Sequence, residues 1–103
     1  MKDKVCTLLG FAAKAGALKF GFARSMEAVK SKQAKAVFFA ADISEKSRKE
    51  VMFFCTKYGI KAYELTGIDI ETLSKAIGRK SGVVAVTDDN FKTPIINNLT
   101  SDV

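Results

Sequence analysis

Two runs in this chain, Ala36-Val37-Phe38-Phe39-Ala40-Ala41 and Val83-Val84-Ala85-Val86-Thr87, place apolar side chains at consecutive positions, without the alternation of a half-buried strand. Successive side chains of a β-strand point to opposite faces, so runs of this kind must be covered on both sides. The rest of the chain has to supply that cover.

Helical spacing recurs between and around these runs. Val5, Leu8, Leu9 and Ala12 predict an amphipathic helix from Lys2 to about Lys14, with Asp3 as its N-cap and Gly16 just past its end. Ala17 to Phe20 reads as a brief strand. A second helix from Gly21 to about Lys32 buries Phe22, Met26 and Val29 and turns Arg24 and Ser31 outward. After Ala36–Ala41, Asp42 and Ser44 supply turn and cap chemistry for a third helix, Glu45 to Tyr58, which Gly59 ends. Ile60 to Leu65 is a weaker strand, and Asp69 to Ile77 a short helix stopped by Gly78. The loop Arg79-Lys80-Ser81-Gly82 leads into Val83–Thr87, and Asp88 to Asn90 cap a last helix in which Pro94 opens or belongs to the first turn. Thr100 to Val103 are expected to fray. Helix and strand alternate throughout, which predicts a three-layer α/β/α sandwich around a sheet of about four strands, as one domain over residues 1–103.

The longest apolar run is far short of the roughly 20 residues that span a membrane. A soluble, cytoplasmic protein without a leader is expected. Cys6 and Cys55 are far apart in sequence, and no histidine is present, so a zinc site or redox pair is not indicated. Both cysteines read as buried free thiols.

The net charge of +6 is unevenly spread. Residues 1–35 hold eight cations and two anions, whereas residues 36–103 hold nine of each. The whole excess therefore sits in the first third, as in an electrostatic footprint for a polyanion. No phosphate-binding or dinucleotide glycine motif, nucleophile elbow or catalytic histidine is present. Asp42, Asp88 and Asp89 each follow an apolar strand and could hold Mg²⁺ through a phosphate, but helix capping is the simpler use. No catalytic residue, metal site or cofactor is assigned.

A helix start presents free N–H groups and the positive end of a dipole, and Gly21 has no Cβ to keep a ligand away. Lys14, Lys19, Arg24, Lys32 and Lys35 surround that start in sequence, together with Gly21 and Phe22, and Arg79 and Lys80 form a second basic element. These nine residues are the candidate RNA-binding set. The cations neutralise phosphates, and Arg24 can make a forked contact to a guanine edge. The expectation is spatial: the amino-terminal cations should meet Arg79 and Lys80 on one side, around the Gly21 helix start.

Gly21 with its helix, followed by Ala34-Lys35-Ala36-Val37-Phe38-Phe39-Ala40-Ala41-Asp42, resembles the core G-x-N-E … G-x-A-K-L-V-x-x-A-x-D of the ribosomal protein L7Ae family, and most closely its small bacterial YlxQ-like branch. The likeness runs on through Lys61–Leu65, Ala76-Ile77-Gly78 and Val83–Asp88. It implies a compact α/β/α sandwich that recognises structured RNA. In kink-turn binders of that family an Asn-Glu pair and a following Lys read sheared G·A pairs; the matching positions here are Ala23, Arg24 and Glu27. A loop that covers a flipped-out nucleotide in those proteins matches residues 77–83. The resemblance thus implies RNA contact led by charge and shape, without the standard reading pair.

The favoured reading is a monomeric, non-enzymatic binder of structured RNA, ribosomal RNA included. The alternative is a protein-interaction adaptor on the same fold, using Phe53 and the third helix. A Mg²⁺-dependent phosphate enzyme built on Asp42 and Asp88 is the third.

Overall fold

Both consecutive-apolar runs become central strands in the computed structural model, which describes residues 2–100. Four strands, β1 (Leu18–Phe20), β2 (Ala36–Ala40), β3 (Ala62–Leu65) and β4 (Val83–Val86), form one sheet in the order β1-β4-β2-β3. Every residue of β2 and β4 is buried. The sheet is mixed, because β2 runs parallel to β3 and antiparallel to β4, while β1 is antiparallel to β4.

Among the described residues five helices cover it: α1 (Lys2–Lys14), α2 (Phe22–Lys30), α3 (Glu45–Tyr58), α4 (Ile70–Ile77) and α5 (Asp89–Thr100). Residues of β2 divide by parity between two cores, as the pleat requires. Ala36, Phe38 and Ala40, with Val84 and Val86, pack against α1, α4 and α5 through Val5, Leu9, Leu73 and Ile95. Val37 and Phe39, with Val83 and Ala85, pack against α2 and α3 through Met26, Val29, Val51 and Cys55. The three-layer sandwich follows directly from two strands that are apolar on both faces.

The helix ends obey local chemistry. Ser44 accepts from the Ser47 N–H to cap α3, and Gly59 ends that helix at φ 75° in the left-handed region. After α1 the Ala17 N–H donates to Ala12 O (2.9 Å) and the Gly16 N–H to Ala13 O (3.2 Å), a Schellman pair around Gly16. The same pair closes α2, from Gln33 to Ala28 and from Lys32 to Val29, but the left-handed position is held by Lys32 at φ 64°.

Several expected details are corrected. Asp3 lies inside the first turn of α1, and its carbonyl accepts from the Thr7 hydroxyl. Pro94 lies in the second turn of α5, where its ring nitrogen has no hydrogen for the Asn90 carbonyl. Ala17, Ser31, Lys32, Ala41, Ile60, Lys61 and Thr87 fall outside the elements assigned to them, and Gly21 and Asp69 stand as the N-caps of α2 and α4. Cys6 is half-buried, whereas Cys55 is buried, and neither is in a disulfide. Residues 101–103, expected to fray, lie outside the described residues. No helix among the described residues is long and apolar enough to cross a membrane.

The antiparallel pairing of β4 with β1 and β2 gives the sheet two ends with different tenants. One end carries Gly21, Asp42 and the loop from Gly78 to Gly82. The other carries Ala17, Lys35, Lys61 and Thr87. About 15 Å of strand separates them.

Candidate nucleic-acid interface

Gly21 caps α2 with φ 86° and ψ 164°, a backbone region that is essentially restricted to glycine. Its N–H is held twice, by Val83 O at 2.8 Å and by the Ser81 hydroxyl at 2.9 Å. The side that a Cβ would occupy is open, with nothing within 4 Å. Gly21 has no side chain to cap the first N–H groups of α2, and among the described residues no side-chain hydrogen bond to Phe22, Ala23 or Arg24 N–H is made. The helix start therefore combines a fixed backbone with an uncovered positive end.

Ser81 joins this start to the loop after α4. It is buried, donates its hydroxyl hydrogen to Val83 O at 2.7 Å, and donates its N–H to the Ser74 hydroxyl at 3.0 Å. Ser74 donates in turn to Ser81 O at 3.3 Å. Beside this serine pair the Arg79 guanidinium lies 4.7 Å from the centre of the Phe20 ring. That contact holds the guanidinium beside the ring while Arg79 remains exposed. Lys80 is exposed on the same loop, and Arg24 on the first turn of α2. The sequence reading did not pick out Phe20, Ser74 or Ser81. A serine in a loop has no periodicity to mark it, and its partners lie 7 and 60 positions away.

The nine candidate residues are split by the fold. Gly21, Phe22, Arg24, Arg79 and Lys80 come together at the Gly21 end, and Lys19 is exposed on the adjoining edge strand. Phe22 is half-buried against the α2–α3 core and lines, with Ala23, Met26, Lys30 and Phe54, a groove of about 680 Å³. Lys14, Lys32 and Lys35 go to the opposite end. The chain direction requires it: α2 carries the backbone away from Gly21, and the Lys35 N–H donates to Val86 O (2.7 Å), the last residue of β4. The expected meeting of all the amino-terminal cations with Arg79 and Lys80 is therefore corrected to two groups.

The carboxylates are separated for the same reason. Asp42 Oδ1 accepts from the Ile70 N–H at 2.8 Å, so it caps α4, 28 positions away, and not the helix that follows it. Asp69 caps the same helix through the Thr72 N–H at 2.8 Å. Asp88 stands at the other end of the sheet, where Oδ1 accepts from the Asn90 N–H. No cluster of three metal-ligating side chains occurs among the described residues.

With this geometry in view, the model of the Ribosomal protein L7Ae/L30e/S12e/Gadd45 family matches residues 3–95. The chain belongs to that family. A relative, the RNA-binding protein YlxQ of Enterococcus faecium, is 29% identical over 90 residues, which are 87% of this chain and 85% of the relative. A solved structure of a protein of unknown function from Bacillus halodurans superposes with a TM-score of 0.86 at 28% identity, covering 93% of this chain and 96% of that one. The Giardia lamblia 15.5kD RNA binding protein superposes with a TM-score of 0.75 at 16% identity, over 95% and 83% of the two chains, so the two share a fold.

Proposed function

We propose that this chain binds structured RNA without doing chemistry on it, at the Gly21 end of the sheet. The observation that carries the reading is the open, glycine-capped start of α2, flanked by Arg24, Arg79 and Lys80 and tied to their loop through Ser81. Phosphates seat on the free N–H groups and exposed cations, and the flat Arg79 guanidinium on Phe20 gives a face on which a base can stack. The Enterococcus and Giardia proteins, both named as RNA-binding, support the same class of ligand. Ribosomal RNA in the cytoplasm, bound by a monomer, is the target we assign. Ala23, Arg24 and Glu27 carry no Asn-Glu pair, so recognition is by charge and shape instead of sheared-pair reading.

Filter binding of ribosomal RNA fragments tests this. Arg24→Gln with Lys80→Gln should weaken binding about tenfold at moderate salt and lower the log–log salt slope by about 1.5, with the melting temperature unchanged. Unchanged affinity would remove the assignment.

A second reading rests on α3, where Met52 and Phe53 are 42% and 62% exposed. Such a pair suits a protein contact. Loss of a co-purifying protein from the Phe53→Ser variant after nuclease treatment, with RNA affinity intact, would favour it.

A further inference from the structure

The cations that the Gly21 end does not use form a population of their own. Lys14, Lys30 and Lys57 lie in the last turns of α1, α2 and α3, and Lys32, Lys35 and Lys61 stand in the connections that lead into β2 and β3. Hydrogen bonds tie these connections to one end of the sheet: Lys35 N–H to Val86 O at 2.7 Å, Val37 N–H to Lys61 O at 3.1 Å, and Thr87 N–H to Ala17 O at 2.9 Å.

All six lysines are exposed. Among the described residues none of them pairs with a carboxylate, whereas Arg48, Lys75 and Lys92 elsewhere do. The acids that follow β4 are engaged, Asp88 with the Asn90 N–H and Asp89 with Lys92. Helix dipoles account for cations at the ends of α1, α2 and α3. They do not account for Lys35 or Lys61. Still less do they account for Lys32, which at φ 64° holds a lysine where the Schellman turn favours glycine.

We propose that this end of the sheet binds the phosphate backbone of a second RNA segment, so that the protein joins two RNA helices, one at each end. The proposal rests on the RNA reading of the Gly21 end and extends it. Two contacts, and not one continuous track, follow from Glu27. It is exposed on α2 between Arg24 and Lys30 and would place a carboxylate beside a strand that followed α2 from one end to the other. RNA fits the surface better than an acidic protein does. Lys30 and Lys57 lie over the rings of Phe54 and Phe53 on the α3 side of this end, whereas Lys14, Lys32, Lys35 and Lys61 are placed to neutralise phosphates, and lysine is depleted in the cores of protein interfaces.

The test uses the full chain and two populations of bulged RNA hairpins, one with a donor dye and one with an acceptor. With wild-type protein, energy transfer should appear as protein is added and vanish when protein is in excess. Lys32→Gln with Lys35→Gln should abolish transfer while each hairpin still binds. Arg24→Gln with Lys80→Gln should also abolish transfer. Lys32→Gly should raise the melting temperature and lower transfer, a combination that a purely structural lysine does not give. Wild-type protein that binds hairpins one at a time, without transfer, would overturn the second segment and leave the Gly21 site standing. Transfer unchanged by Lys32→Gln with Lys35→Gln, or an acidic protein captured through those lysines in place of RNA, would also overturn it. Wild-type protein that binds no hairpin would remove both readings.

Discussion

Gly21 and Lys32 bracket α2, and both hold positive φ, but with opposite logic. At Gly21 the residue type suits the backbone. Gly21→Ala meets no atom within 4 Å, so its cost is conformational, about 1–3 kcal/mol, read as a lower urea midpoint at constant slope. At Lys32 the residue type opposes the backbone. The left-handed conformation costs a lysine about 1–2 kcal/mol, and the extra freedom of an unfolded glycine returns part of that, so Lys32→Gly should stabilise the fold by about 0.5–1 kcal/mol. Gly21 was legible because glycine before a helix is informative. Lys32 was read as helical, since nothing in a lysine signals a left-handed turn. Cys55 makes the third residue-scale statement. Burial pushes its thiol up from 9.0 to about 11. The folded value lies above the unfolded one, so the thiol's contribution to stability is full below about pH 9 and is lost as pH rises through about 11. Midpoints of urea unfolding across that window should fall more steeply for wild type than for Cys55→Ala.

Elements were legible where one property repeated. The cap serine and closing glycine of α3 fall where the sequence puts them, and the unalternating strands lie at the centre of the sheet, because each signal is local. Contacts between elements were not legible. Gly10 sits in the middle of α1 as an apparent weakness, yet a Cβ there would lie 2.9 Å from the Ala76 carbonyl oxygen. It is glycine because α1 and α4 approach that closely. Gly10→Ala should therefore destabilise by about 1–3 kcal/mol, although alanine is the better helix former by roughly 1 kcal/mol. Thermal unfolding of the variant decides between the two effects by sign. Asp42 is similar in kind. Its role as a cap was readable, but the helix it caps depends on how β2 and α4 meet. Asp42→Ala should cost about 1 kcal/mol and leave Mg²⁺ titrations without heat.

For the whole molecule, the charge count was visible in sequence but its arrangement was not. Eight cations in the first 35 residues resemble one patch until the strand directions are known. The antiparallel pairing of β4 with β1 and β2 then sends Arg24 and Lys35 to different ends. Arg24 and Ser31 alone are about 10 Å apart along α2, and Lys35 lies beyond the helix. Groups that far apart and without shared partners act almost independently. In filter binding, Arg24→Gln should therefore weaken hairpin binding at the Gly21 end by the same factor, within about 0.5 kcal/mol, whether or not Lys35→Gln is present. Arg24 follows Gly21 and Lys80 precedes Ser81, on the two sides of the Gly21–Ser81 hydrogen bond, so Arg24→Gln and Lys80→Gln should depart from additivity by more than that. The opposite outcome, Arg24 coupled to Lys35 and indifferent to Lys80, would require one RNA backbone to run the length of α2 across Glu27. The role assigned to the two ends of the sheet would then be wrong.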